Sequence, residues 1–297
     1  MWIPKPLVLP FRQRTCWSFY MGGDDQLGGN VSDEFAVREW VDEVLADQSA
    51  VWAKLGDIED EDRPTTRIRR RSMNADRPEV NQRDAAKHLA WIDQKVIPIM
   101  RPLIKRRCLG ILAGHHFTQI TSVINSVQYI CRKLTSLGGY PVPYLGQMES
   151  WAPVRFEAEG HAGRERIPRL FHLQHGTGGS QAVGSALKKL KKTADGIYAD
   201  VYVRGHDLRL EATRIAQLSP GTGDVPTIAN RHALLVNTGG ASKSRTLTRG
   251  TPIYPESGGM GAVAMGWAKV NAYLRPYRDG EDRRGGRKWT VKLKAEI

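Results

Sequence analysis

Cysteine is scarce in this chain of 297 residues: Cys16, Cys108 and Cys131 are its only three. Their odd number, wide spacing and lack of a Cys-x-x-Cys pattern argue against a disulfide framework and against a thiolate zinc site. They are expected to be small core residues of a protein in a reducing cytoplasm. Long apolar runs are also lacking. None approaches the roughly 20 residues that a membrane-spanning helix needs. Met1 to Tyr20 has neither the apolar stretch nor the small-residue cleavage site of a signal peptide. Acidic residues are in short supply: 31 Asp and Glu stand against 44 Lys and Arg, for a net charge of +13. That balance favours polyanionic partners such as nucleic acid or phosphorylated substrates. No internal repeat is present. What remains is an ordinary globular composition, 40% hydrophobic and 25% charged, sufficient for a real core.

The positive charge is clustered. Arg63, Arg67, Arg69, Arg70 and Arg71 share one stretch, Lys188, Lys189, Lys191 and Lys192 another, and Arg283, Arg284, Arg287 and Lys288 a third. Each reads equally well as a solvated basic surface.

Hydrophobic patterning gives an order of elements. Thr15 to Met21 is rich in aromatic and β-favouring residues and stops at Gly22-Gly23, as a strand would. Ser32 or Asp33 can cap a helix to about Gln48, with Phe35, Val37, Val41, Val44 and Leu45 as its apolar stripe. Ala50 to Leu55 is a second strand. The unit is β-α-β, which implies a right-handed crossover and parallel pairing. Glu59 to Val80 has no clean period and reads as a long loop. A helix over 82–105 must break at Pro98 and Pro102. Cys108 to Ala113 reads as a strand, and the apolar spacing from Ile120 to Leu134 as a helix ending at Gly138-Gly139. Beyond this the chain turns β-rich, with strands expected at 154–158, 170–174, 199–204, 233–236 and 289–295. One helix, about 184–193, lies among them. The Gly-rich stretch 248–266 and the polar stretch 279–288 read as loops.

Five polar motifs fall where apolar segments end: Asp24-Asp25-Gln26-Leu27-Gly28, Gly56-Asp57-Ile58-Glu59-Asp60, Gly114-His115-His116, Gln174-His175-Gly176 and Gly205-His206-Asp207-Leu208. Each alone is weak. Together they deliver carboxylates, imidazoles and an amide to the ends of successive strands, which in an open parallel sheet face one crevice. Asp24 and Asp57 can share a divalent cation there. A mixed imidazole and carboxylate set suits zinc, manganese or iron better than calcium. His88, His161, His172 and His232 lie outside the ordered set and read as surface or hydrogen-bonded core histidines.

The order of these motifs resembles that of the calcineurin-like metallophosphoesterases: Asp-x-His-x-Gly, Gly-Asp-x-x-Asp, Gly-Asn-His, His-Gly, Gly-His-x-His. The likeness runs from about Phe19 to Val236. It implies an α/β four-layer sandwich, with two mixed sheets face to face and helices outside. Residues 1–297 would form one such domain, with a basic loop at about 61–80 and a β-rich C-terminal half. It also implies hydrolysis of a phosphoester, with nucleic acid among the substrates, by water activated at one or two divalent metal ions. One ion would be held by Asp24, Gln26 and Asp57. The other would be held by Asp57, His115, His175 and His206. His116 would act on the leaving group. Three positions depart from the family's pattern. Gln26 replaces a ligand His, His115 replaces Asn, and Leu208 replaces the final His. The first metal site is weakened by this, and the second gains an imidazole. The alternative implied by the same departures is a catalytically impaired protein of this fold that binds nucleic acid or protein.

Overall fold

The computed structural model describes residues 4–12, 15–29, 32–60, 82–159, 165–177, 184–207, 209–220, 228–240, 266–276 and 289–297. The expected loop at 61–80 with its arginine run, the Gly-rich and basic stretches at 248–265 and 279–288, His161 and Leu208 lie outside these residues.

Two six-stranded sheets carry the fold. The first contains β2 (Cys16–Gly22), β3 (Ala50–Lys54), β4 (Arg107–Leu112) and β5 (Tyr144–Gly146), all parallel. It is extended antiparallel by β11 (Ala268–Pro276) and β12 (Trp289–Glu296), in the order β12-β11-β2-β3-β4-β5. The second runs β1-β6-β7-β8-β10-β9. Its strands are β1 (Leu7–Phe11), β6 (Glu149–Ala158), β7 (Arg166–Gln174), β8 (Val201–Arg204), β9 (Glu211–Pro220) and β10 (Ile228–Asn237). Within it β7, β8 and β10 are parallel, β6 runs parallel to β1 but antiparallel to β7, and β9 runs antiparallel to β10.

Period-two alternation builds the layers. Phe19 and Met21 of β2, Val51 and Ala53 of β3, Phe171 and Leu173 of β7, and Val201 and Val203 of β8 share one buried cluster between the sheets. Phe19 and Phe171 meet across it with ring centroids 4.7 Å apart. Each fully buried aromatic of this kind stabilises the fold by about 1.5–3 kcal/mol. The alternate residues Tyr20 and Trp52 point the other way, onto α1 (Glu34–Ala46), α2 (Gln82–Lys95), α3 (Ile97–Met100) and α4 (Ser126–Ser136). On the far side, Tyr202, Ala233 and Leu235 pack under α5 (Ser185–Gly196). The order helix, sheet, sheet, helix is the expected four-layer α/β arrangement.

Local signals hold with two corrections. Asp33 caps α1 by accepting from Ala36 N. The apolar stripe is Val37, Trp40, Val41 and Val44, whereas Phe35 is 71% exposed. The helix expected from Ile120 begins only at Ser126. Asn125 and Gln128 form a reciprocal capping box there, and Thr121 Oγ1 accepts from Ile124 N in a preceding turn. A strong N-cap fixes the start, whatever the apolar spacing before it. As expected, the prolines break the 82–105 helix, which continues as α3 and a 3-10 turn at Arg101–Lys105.

Candidate metal centre

The five motifs leave the C-terminal ends of β2, β3, β4, β7 and β8. Their backbones continue the ladder beyond the strands. Leu55 N donates to Gly22 O, Asp24 N to Gly56 O, Gln26 N to Asp57 O and Asp57 N to Ala113 O. In the other sheet Gly205 N donates to Gln174 O, and His175 N to Met148 O. Among the described residues, those other than glycine with positive φ are Asp24, Gln26, Asp57 and His206. All four are motif residues. Such conformations cost about 1–3 kcal/mol each and persist where the surroundings enforce them.

Two glycines are required by close approach. A Cβ on Gly114, whose φ is +80°, would stand 2.2 Å from Asp57 Oδ1. One on Gly56, at φ +106°, would stand 2.6 Å from His175 Nδ1. The β3 and β4 turns therefore meet backbone to backbone: a Cβ on Gly56 would also stand 2.7 Å from Gly114 Cα.

One atom of each of Asp57, His115, His175 and His206 lies within 4.8 Å of the others. His175 Nε2 is 3.0 Å from His115 Nδ1 and 3.1 Å from Asp57 Oδ2. The three imidazole centroids are 4.7, 4.8 and 4.9 Å apart. Asp57 and His175 are fully buried, and His206 is about a quarter exposed. Asp57 Oδ1 accepts from His115 N at 2.6 Å and His116 N at 2.8 Å. His175 Nδ1 lies 2.7 Å from Leu55 O. A carbonyl can only accept, so Nδ1 carries the proton and the neutral ring keeps its lone pair on Nε2.

The electrostatics follow from crowding imidazoles and carboxylates in a dry recess. Burial, with His175 and His115 adding to it, pushes His206 down to about 4. Burial acts to lower His175 too, but Asp57 and Asp24 outweigh it and the ring is raised above its ordinary value. Burial would raise Asp57, yet His175 and His116 hold its carboxyl below the usual range. Burial, with Asp57 and Asp25 beside it, pushes Asp24 up to about 7.

These residues fit a divalent cation. Asp57 Oδ2 is buried and faces the candidate ligand atom His175 Nε2 at 3.1 Å, as neighbouring ligands of one ion would. Ligand atoms 2.0–2.1 Å from a tetrahedral ion lie about 3.3 Å from one another, close to the two His175 separations. One carboxylate with three imidazoles can bind zinc, manganese or iron.

Of the sequence-derived candidates, Asp57, His115, His175 and His206 converge. Asp24 adjoins that group: its Oδ2 accepts from His206 N at 2.9 Å and its Oδ1 lies 3.9 Å from His206 Nδ1. Gln26 is half-buried, its backbone held by Asp57 O. His116 lies beside the cluster, its Nδ1 3.2 Å from Asp60 Oδ2 and its Nε2 3.9 Å from Asp57 Oδ2. Of the remaining histidines, His88 and His172 are buried, against Glu59 and Glu149, and His232 is exposed.

Sequence reading misses the residues that brace the loops. Lys54 is buried, 2.8 Å from Asp25 Oδ1 and over the Trp40 ring. Arg204 is buried against Asp207, Gln174 and the Thr177 carbonyl. Asn237 Nδ2 donates to the Asp207 carbonyl. A charged residue closing an otherwise apolar strand, as in Ala50–Lys54 and Val201–Arg204, is the available signal.

No family model and no curated protein matches this chain. Two solved structures align along its length. The Vps29 of Chaetomium thermophilum is 12% identical over 94% of this chain and 96% of its own, with TM-score 0.32. A wild-type Vps29 from Entamoeba histolytica, complexed with Zn2+, is 11% identical over 94% and 98%, also with TM-score 0.32. Likenesses at this distance carry no weight for the site.

Proposed function

We propose that this protein is a metal-dependent phosphoesterase that hydrolyses a phosphoester at the centre formed by Asp57, His115, His175 and His206. The observation that supports it most is the convergence of those four side chains, from four separate loops, to within 4.8 Å, with His116 alongside. The four would hold one divalent ion, zinc, iron or manganese by the chemistry of the donor set. Asp24 and Gln26 would line a weaker second position beside it. A divalent cation bound there supplies Lewis acidity toward a phosphoryl oxygen and lowers the pKa of water toward neutrality.

The chain's own residues do the rest. The His115 and His116 amides fix the Asp57 carboxylate before any ligand arrives. The Leu55 carbonyl sets the His175 tautomer. His116, about a quarter exposed, is reachable by substrate, and Asp60 sets its ring orientation. Its role is to give a proton to the departing oxygen, a contribution of about 100- to 10,000-fold for a placed acid.

The test is hydrolysis of bis(p-nitrophenyl) phosphate and p-nitrophenyl phosphate by protein supplied with Mn2+ or Zn2+. The parent should turn over at least one. His116→Gln should lose about 100-fold or more in turnover with its metal content intact. A parent that binds metal yet hydrolyses neither ester rejects the enzymatic reading. It would favour the second one, a binding module of the same fold. That reading is favoured by Gln26 in place of a ligand histidine.

A further inference from the structure

We infer that the lysine-rich flank of α5 engages phosphates of a single-stranded nucleic acid adjacent to the one presented to the metal centre. This rests on the phosphoesterase reading of that centre and names its substrate class.

The helix is amphipathic in charge as well as hydropathy. Ala186, Leu190 and Ala194 are buried against the second sheet. Lys188 and Lys192 lie on the opposite face and are exposed. They are one turn apart, a rise of about 6 Å. Lys191 shares its charge with Asp195 at 3.0 Å. Lys189 lies on the flank between the two faces, and its position is informative. Its Nζ is 3.3 Å from the Thr177 carbonyl and 3.6 Å from Asp207 Oδ2. Thr177 is two residues beyond His175, and Asp207 is one beyond His206. The flank of α5 is thus fastened to the loops that carry two of the four candidate ligands.

The Asp207 carboxylate is approached by both the buried Arg204 guanidinium, at 3.0 Å, and Lys189 Nζ, at 3.6 Å. Lys188 and Lys192 add two exposed positive charges to the same helix. A surface built so is complementary to a chain of phosphates leading into a phosphate-cleaving site, and the net charge of +13 adds long-range attraction. The recess decides between strand forms. Asp57 and His175 are fully buried, while His116 and His206 are only about a quarter exposed. A scissile phosphate must dip inward to reach them, which a flexible single strand allows more readily than a stiff duplex.

The test measures binding apart from hydrolysis. Anisotropy of a fluorescein-labelled twelve-nucleotide thymidine strand is followed over a salt series, with chelator present to suppress cleavage. Each phosphate contact on a single strand contributes about 0.7 to the slope of log affinity against log salt. Lys188→Gln/Lys189→Gln/Lys192→Gln should therefore flatten the slope by about 2 and weaken binding at low salt by at least about tenfold. The corresponding triple arginine variant should keep the parent's slope. Equal metal content in all three proteins certifies the fold. A parent without affinity at low salt, or a glutamine variant with the parent's slope, overturns the inference. Failure to hydrolyse either p-nitrophenyl ester would instead reject the phosphoesterase reading and leave the binding result standing by itself.

Discussion

Gly114→Ala is the most discriminating single perturbation of the centre. The new methyl would lie 2.2 Å from Asp57 Oδ1, 2.6 Å from Asp57 N and 3.0 Å from Asp57 Cγ. None of these can be relieved by rotating a distant flexible tip, because Asp57 is fully buried and its Oδ1 is tied to two amides. The carboxylate must retreat by roughly 1 Å, a misplacement that costs about 100-fold at a working site. A backbone term of about 1–2 kcal/mol is added, because φ is +80° and a side chain there crowds the following carbonyl. Gly138→Ala is the control. Its φ is +83°, and a Cβ there meets nothing within 4 Å, so it carries the backbone cost alone. Zinc affinity by chelator competition should fall about 100-fold in Gly114→Ala and stay at the parent's value in Gly138→Ala. Thermal melts should show both variants destabilised, the first by more. Equal metal affinity in the two variants would refute the placement of Asp57 as a ligand braced against the β4 turn.

His175→Ala and His206→Ala should each lose most bound metal, since three remaining ligands leave an open, poorly matched site. Gln26→Ala should lose far less, and equal loss in all three would contradict the single dominant centre. The buried Lys54–Asp25 pair makes Lys54→Met destabilising by about 3–5 kcal/mol, because it strands a carboxylate. Adding Asp25→Leu should recover much of that in urea unfolding, and no recovery would show that the pair is not the source. Burial lowers His172, with Glu149 opposing it. Its folded value lies below the unfolded 6.5, so its contribution is complete above that pH and is lost as pH falls through the folded value. His172→Phe should flatten that part of the stability curve, and an unchanged acid limb would assign the loss elsewhere.

The sequence reveals more of the site's parts than of their arrangement. The β-α-β start is legible because β2 and β3 are apolar runs closed by glycine, and Asp33 caps the helix between them. Each motif is legible as a strand end. The distance between Asp57 and His206 is not, because it depends on how the second sheet packs on the first. β11 alternates Ala268, Val270, Ala272 and Leu274 inward, a period-two signal outweighed by the Gly-rich stretch before it. β5 has three residues, too few for any period. β1 carries Pro10, which is tolerated because the strand lies at the edge of its sheet. The helix misplaced at Ile120 fails through capping: the apolar spacing is helical, but Asn125 sets the start. The braces Lys54, Arg204 and Asn237 escape notice because their partners lie in other segments of the chain.

Metal content is the most direct test of the central claim. Protein purified without chelator and dialysed exhaustively should retain close to one equivalent of a first-row divalent metal per chain. His206→Ala should retain almost none, and Gln26→Ala close to the parent's amount. A folded parent that holds no metal and takes up none on titration with Zn2+ or Mn2+ would contradict the account, as would a parent whose metal is unaffected by His206→Ala.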